Sequence, residues 1–200
     1  MRRLRCALVL TVLAMSLAAC DADAGAEIDA GAEIDAGAEV DAGAEVDSSP
    51  PAAVEDLDMR AEDFSCILDW PQVRRFRVTN LLGHLDEALA VAESPTGGTW
   101  PVGTVLQLVP FEAMVKRRSG WNPPSGDWEF FSLDTDGDKT LILDRGKEGV
   151  VNQFGGECLA CHGKAEPAWD FVCEEDHGCD PLGLTPALIR LSQEQDGRCP

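Results

Sequence analysis

Asp127-Trp-Glu-Phe-Phe-Ser-Leu133 and Lys139-Thr-Leu-Ile-Leu-Asp144 flank the short polar run Asp134-Thr-Asp-Gly-Asp138. Aromatic and aliphatic residues on both sides of an Asp-Gly pair read as two antiparallel strands joined by a tight turn, because glycine supplies the backbone freedom that such a turn demands. The same turn sets Asp134, Asp136 and Asp138 at the first, third and fifth positions of a calcium loop. Lys139 then stands where that loop needs glycine and Arg145 where it needs a bidentate glutamate, so the turn is kept and calcium is not.

Outward from this hairpin, residues 102–109 have strand character, and residues 111–118 either form a short helix or continue the strand pairing. Further upstream, Val78, Leu81, Leu82, Leu85, Ala88, Leu89 and Ala92 recur at helical spacing, which predicts a helix over residues 72–93 stopped by Ser94-Pro95 and Gly97-Gly98. Downstream, helices are expected around residue 158. The elements together make an α+β chain: a mostly antiparallel sheet with flanking helices.

Those late helices hold Cys158-Leu-Ala-Cys161-His162. C-x-x-C-H is the attachment motif for c-type haem. Two thiols three positions apart can each add to one vinyl group of the same porphyrin, and the adjacent histidine is then held beneath the ring as an iron ligand. A zinc ribbon would want a second Cys or Cys/His pair at ribbon spacing, and a redox dithiol a thioredoxin-like βαβ setting; neither is present. The reading is one covalent haem c held by Cys158, Cys161 and His162, with the sheet and helices folded around it.

The N-terminus agrees with this. Arg2, Arg3 and Arg5 precede an apolar run, and Leu17-Ala18-Ala19-Cys20 resembles the lipobox of bacterial lipoproteins. Residues 1–19 are expected to be a lipoprotein signal peptide and Cys20 the lipidated residue, anchoring the chain to the bacterial cell envelope and facing periplasm or exterior. The apolar run is too short to span a bilayer, for which about 20 residues are wanted. Residues 20–58 follow as an acidic tether: the hexad Ala-Gly-Ala-Glu-(Ile/Val)-Asp recurs four times before Ser48-Ser49-Pro50-Pro51. A period of six buries no face as either helix or strand, and 13 acids with no basic residue repel one another. The domain itself is expected over residues 59–200.

Of eight cysteines, Cys6 lies in the signal, Cys20 at the lipid site, and Cys158 and Cys161 in the haem motif. Cys66, Cys173, Cys179 and Cys199 remain, an even set in an oxidising compartment, where disulfides persist. Three connectivities are open. Net charge is −20, and after the three signal arginines and 13 tether acids are set aside, residues 59–200 still carry −10. Nucleic acid and anionic headgroups are excluded as partners by that sign, the membrane is reached by the lipid anchor only, and a basic patch on a redox partner protein would be attracted.

Gly103-Thr-Val-Leu, Met114-Val-Lys-Arg117, Gly126-Asp-Trp-Glu-Phe-Phe131, Gly156-Glu-Cys-Leu-Ala-Cys-His162 and Ala168-Trp-Asp-Phe171 together resemble the cytochrome P-460 family, which includes cytochrome c′-beta. The resemblance spans about residues 66–199. It implies an antiparallel sheet enclosing one haem, with histidine on one side and a small-ligand site on the other, and an activity of hydroxylamine oxidation or nitric oxide binding. Members that oxidise hydroxylamine carry a lysine bond to the porphyrin; Lys116 is the position at which this chain would carry one, and its run with Arg117 and Arg118 also suits a solvated face or haem propionates.

The sixth iron ligand separates the functions. Apart from His162, the ordinary candidates are His84, His177, Met59 and Met114; none stands out, which favours an open site lined by aromatics such as Phe111, Phe130 or Phe131. The first reading is therefore an open-site cytochrome that takes a small gaseous or nitrogenous ligand and acts on it as a hydroxylamine or nitric oxide oxidoreductase, or only binds it. The second is a six-coordinate, membrane-tethered electron carrier. The third is a disulfide scaffold without haem.

Overall fold

In the computed structural model, residues 55–200 are described. The expected signal peptide, Cys20 and the four hexads lie outside the described residues. Six strands form one sheet in the order of the chain, every neighbour antiparallel: β1 (Gln72–Val73), β2 (Phe76–Asn80), β3 (Thr104–Gln107), β4 (Glu112–Lys116), β5 (Trp128–Asp136) and β6 (Lys139–Gly146). Three helices accompany it: α1 (Leu85–Glu93), α2 (Cys158–His162) and α3 (Pro186–Glu194). Among the described residues no helix is long and apolar enough to cross a membrane.

The alternation of strand side chains divides the core into two. Leu106, Met114, Trp128 and Phe130 pack on one face with Phe76, Val78, Ala88 and Ala92 of the β2–α1 region and with Trp100, Val150, Cys158 and Val172. Val105, Ala113, Val115, Phe131 and Leu133 fill the other face, beneath Met59, Phe64 and Trp70. The second face is closed by the N-terminal segment, which two short 3₁₀ turns, Ala61–Asp63 and Ile67–Asp69, lay across the sheet. Cys66 and Cys199 are joined across 133 residues of chain, and Asp196 accepts hydrogen bonds from Ile67 N at 2.9 Å and Arg198 Nε at 2.8 Å. In the chain-entropy model a bridge closing so long a loop stabilises by about 5 kcal/mol.

The hairpin forms as the sequence indicates, with one difference. Asp136 pairs with Lys139, so Gly137 and Asp138 are the central turn residues, and only Gly137 has positive φ (63°). Two further expectations are corrected, and one open choice is resolved. Residues 72–93 are not one helix: Phe76, Val78 and Asn80 are buried on alternate positions of β2, and Gly83 at φ 93° ends that stretch before α1 begins. Val78 thus fits a strand period as well as a helical one, and pairing with Leu106 decides between them. Residues 111–118 hold a strand, β4.

The tether also ends earlier than residue 58. Arg117 donates to Asp56 at 3.0 and 2.9 Å, and Arg145 donates to Asp58 at 2.6 Å and to the Met59 carbonyl at 2.8 Å. Both arginines also bond Glu129, which is buried on β5. Arg117 holds the Asp56 carboxyl down at about 2. The acids nearest the domain are ion-pair partners of the sheet instead of mutually repelling tether residues.

Candidate functional site

A loop built by Asn152 delivers α2 to the first face of the sheet. The Asn152 side-chain oxygen accepts from Phe154 N at 3.0 Å and Gly156 N at 2.9 Å, Val151 pairs with Glu157, and Cys158 N donates to Val150 O at 2.9 Å. The single helical turn that follows places Cys158, Cys161 and His162 together along one cleft. The cleft is also walled by Phe76, Leu106, Met114, Phe130 and Val172. The lining is mainly apolar, and its charged residues are Arg75 and the acids Glu112, Glu174, Glu175 and Asp180.

The two motif cysteines are bonded neither to each other nor to any other cysteine. The other four pair as Cys66–Cys199 and Cys173–Cys179, which settles the connectivity that spacing left open. Cys158 is buried beside Glu112 and Glu157, and burial, reinforced by those carboxylates, pushes its thiol up to about 12.

His162 is oriented by a backbone acceptor. Its Nδ1 lies 2.8 Å from the Phe171 carbonyl, and because a carbonyl only accepts, Nδ1 carries the proton. Nε2 is left with its lone pair, which is the tautomer of a metal-binding histidine. Burial holds the imidazole below its ordinary pKa, partly offset by the Phe171 carbonyl. The Phe130 ring lies 5.3 Å from the imidazole, tilted by 43°. Two unpaired thiols and one neutral, pre-oriented imidazole on a helical turn beside an apolar cleft are the donor set that a covalently attached haem requires.

No family model matches this chain. Nor does any curated protein or solved structure.

The other residues singled out in the sequence fall in different places. Of the sixth-ligand candidates, Met114 alone lines the cleft. Met59 is buried on the opposite face of the sheet. His84 stands at the start of α1, 3.1 Å from Glu55 and 3.4 Å from Glu87, whose carboxylates raise its pKa. His177 stacks on Trp169 with ring centroids 3.7 Å apart; its Nδ1 donates to Val172 O at 2.7 Å, and its Nε2 accepts from Arg74 at 3.1 Å. Glu174, Asp176 and His177 bring three metal-type donor atoms within 4.8 Å of one another, but the Arg74 guanidinium bonds all three and already supplies the cation.

Lys116 is not brought into the cleft. Its Nζ donates to the Gly126 carbonyl at 2.7 Å and to both Asp170 oxygens at 2.8 and 2.7 Å, so the lysine expected to bond a porphyrin is engaged in an internal ion pair. Arg117 is equally committed, to Asp56 and Glu129, and leaves Arg75 as the arginine that reaches the cleft. Of the aromatics, Phe130 lines the cleft, whereas Phe131 points to the other core and meets Phe64 edge-on at 5.3 Å.

Sequence reading missed Glu112 and the Asp170–Phe171 pair. Burial raises the Glu112 carboxyl to about 7. Its signal was strand alternation: Glu112 shares the period of Met114, an apolar-face position. Phe171 acts through its carbonyl, for which side-chain identity gives no signal.

Proposed function

We propose that this protein is an exported, mono-haem c-type cytochrome of the cytochrome P-460 type, lipid-anchored at Cys20 and binding small nitrogen species such as nitric oxide or hydroxylamine at the iron. The observation that carries the reading is the His162 Nδ1 hydrogen bond to the Phe171 carbonyl, on the same helical turn as two unpaired thiols. Cys158 and Cys161 would form the thioether links, His162 would ligate through Nε2, and Arg75, which pairs with Glu174 at 3.7 Å, is the cleft-lining cation that would meet a propionate. When bound, the haem supplies an iron centre whose sixth position takes a small ligand or moves an electron. An open sixth position is supported by the placement of His84, His177 and Met59 away from the cleft.

The test is haem staining of a denaturing gel, then ferric and ferrous spectra with and without nitric oxide. Stain in the wild type that disappears in the Cys158→Ala, Cys161→Ala double variant, with a high-spin ferrous spectrum that responds to nitric oxide, supports the reading. A colourless wild-type protein from a host that matures haem overturns it in favour of a disulfide scaffold. Turnover of hydroxylamine separates an oxidoreductase from a gas-binding protein.

The second reading, a six-coordinate electron carrier tethered near a redox partner, is favoured by Met114 in the cleft wall. Under it the ferrous spectrum is low-spin before any ligand is added, and Met114→Ala alone converts it.

A further inference from the structure

Asp170 and Phe171 are consecutive non-glycine residues with left-handed backbone, at φ 46° and φ 66°. Each such residue costs about 1–2 kcal/mol, so an adjacent pair persists only where the surroundings hold it. Four hydrogen bonds do so at Asp170. Its carboxylate accepts from Lys116 Nζ at 2.7 and 2.8 Å and from Trp100 N at 2.9 Å, and its carbonyl accepts from Trp128 Nε1 at 2.7 Å. Lys116 also grips the Gly126 carbonyl at 2.7 Å. The Phe171 ring rests on Gly126 so closely that a Cβ there would stand 2.5 Å from it. One ammonium thus ties together both walls that fix Phe171, and the Phe171 carbonyl then meets His162 Nδ1 at 2.8 Å.

The pair is expensive to keep. Lys116 and its partner are largely withdrawn from water, with side chains 8% and 14% exposed. Desolvating two charges offsets most of their attraction, and an apolar pair of similar volume often serves stability as well. What an apolar pair would not do is hold a left-handed turn in register with an imidazole. We propose that Lys116 and Asp170 are positioning residues for His162: they lock the Phe171 carbonyl onto Nδ1 and thereby set the orientation and donor strength of Nε2. This rests on the reading of His162 as the iron ligand. A ligating histidine whose other ring N–H is held by a fixed acceptor is the more basic ligand, which favours the ferric state.

The experiment compares full-length holoprotein, wild type, with Lys116→Met, Lys116→Arg, Asp170→Asn and Phe131→Leu. Phe131→Leu is the control, since it weakens the opposite core without touching the cleft. The readouts are the reduction potential and the iron–histidine stretching frequency of the ferrous protein. Lys116→Met and Asp170→Asn should each raise the potential and lower the stretching frequency. Their combination should give no further shift, because both break the same clamp. Lys116→Arg should return most of the wild-type values, and Phe131→Leu should leave both unchanged.

Unchanged potential and frequency in Lys116→Met and Asp170→Asn overturn the proposal while leaving histidine ligation intact. An equal shift in Phe131→Leu overturns it by making the effect one of general loosening. A wild type that carries no covalently bound haem overturns both this proposal and the functional reading beneath it, and a low-spin six-coordinate wild type leaves the reduction potential as the readout that decides the proposal. Where Lys116→Met does not accumulate as holoprotein, Asp170→Asn, which keeps the shape of the carboxylate, decides.

Discussion

The Cys161 sulfur lies 4.0 Å from the Cys173 sulfur, while Cys173 is already bonded to Cys179. A free thiol in contact with a disulfide is the starting geometry for exchange. The Cys161 thiolate attacks Cys173, a Cys161–Cys173 bond forms as Cys173–Cys179 breaks, and Cys179 leaves and takes up a proton. No outside oxidant is needed. Protein made without haem maturation should therefore contain a mixture of the two disulfides, readable by mass mapping of peptides under non-reducing conditions at low pH. Cys161→Ser should contain Cys173–Cys179 alone. A haem-free wild type with only Cys173–Cys179 would count against exchange.

The two motif cysteines should also differ sharply as nucleophiles. Burial raises Cys158 to about 12, so at pH 8 its thiolate fraction is roughly 10⁻⁴. In folded, haem-free protein, iodoacetamide should label the unbridged fraction of Cys161 quickly and leave Cys158 unlabelled until urea is added. Equal labelling of both in the folded state would show that Cys158 is not shielded.

The hairpin and the clustering of Cys158, Cys161 and His162 were legible in the sequence for physical reasons that are local: alternation about a glycine turn, and close spacing on one helical turn. The antiparallel α+β class followed from those strands. Val78 was misread because Val78, Leu81, Leu82 and Leu85 satisfy a helical period, and only pairing with β3 resolves it. Lys116 was misread for a similar reason. A lysine in a run with two arginines looks like surface, yet strand alternation turns it inward to Asp170, 54 residues later in the chain. The His162 acceptor is a main-chain oxygen, invisible to any reading by residue type.

Arg117→Ala should be among the more damaging single changes outside the cleft. It removes the bonds to Asp56 and leaves Glu129, 3% exposed, with Arg145 alone. Breaking a buried pair from one side typically costs 3–5 kcal/mol, and since Arg145 remains, about 3 kcal/mol is expected. The loss should appear as a lower urea midpoint together with faster proteolytic clipping near residues 55–58, whose docking depends on that guanidinium. Arg118→Ala, at an exposed neighbour, should change neither.

Glu112 gives a pH dependence whose sign follows from its surroundings. Burial raises its carboxyl from 4.5 to about 7, so the folded chain holds this proton more tightly than the unfolded chain does. Below pH 4.5 both states are protonated and Glu112 costs nothing. As pH rises towards 7 the unfolded state ionises first and the folded state is progressively penalised, by about 3 kcal/mol once both are ionised. Glu112→Gln removes that penalty without changing the shape of the side chain. Its urea midpoint should match wild type at pH 4 and exceed it at pH 8, with the gap opening between those values. A variant equally stable to wild type at pH 8 would mean that the cleft already solvates the Glu112 carboxylate.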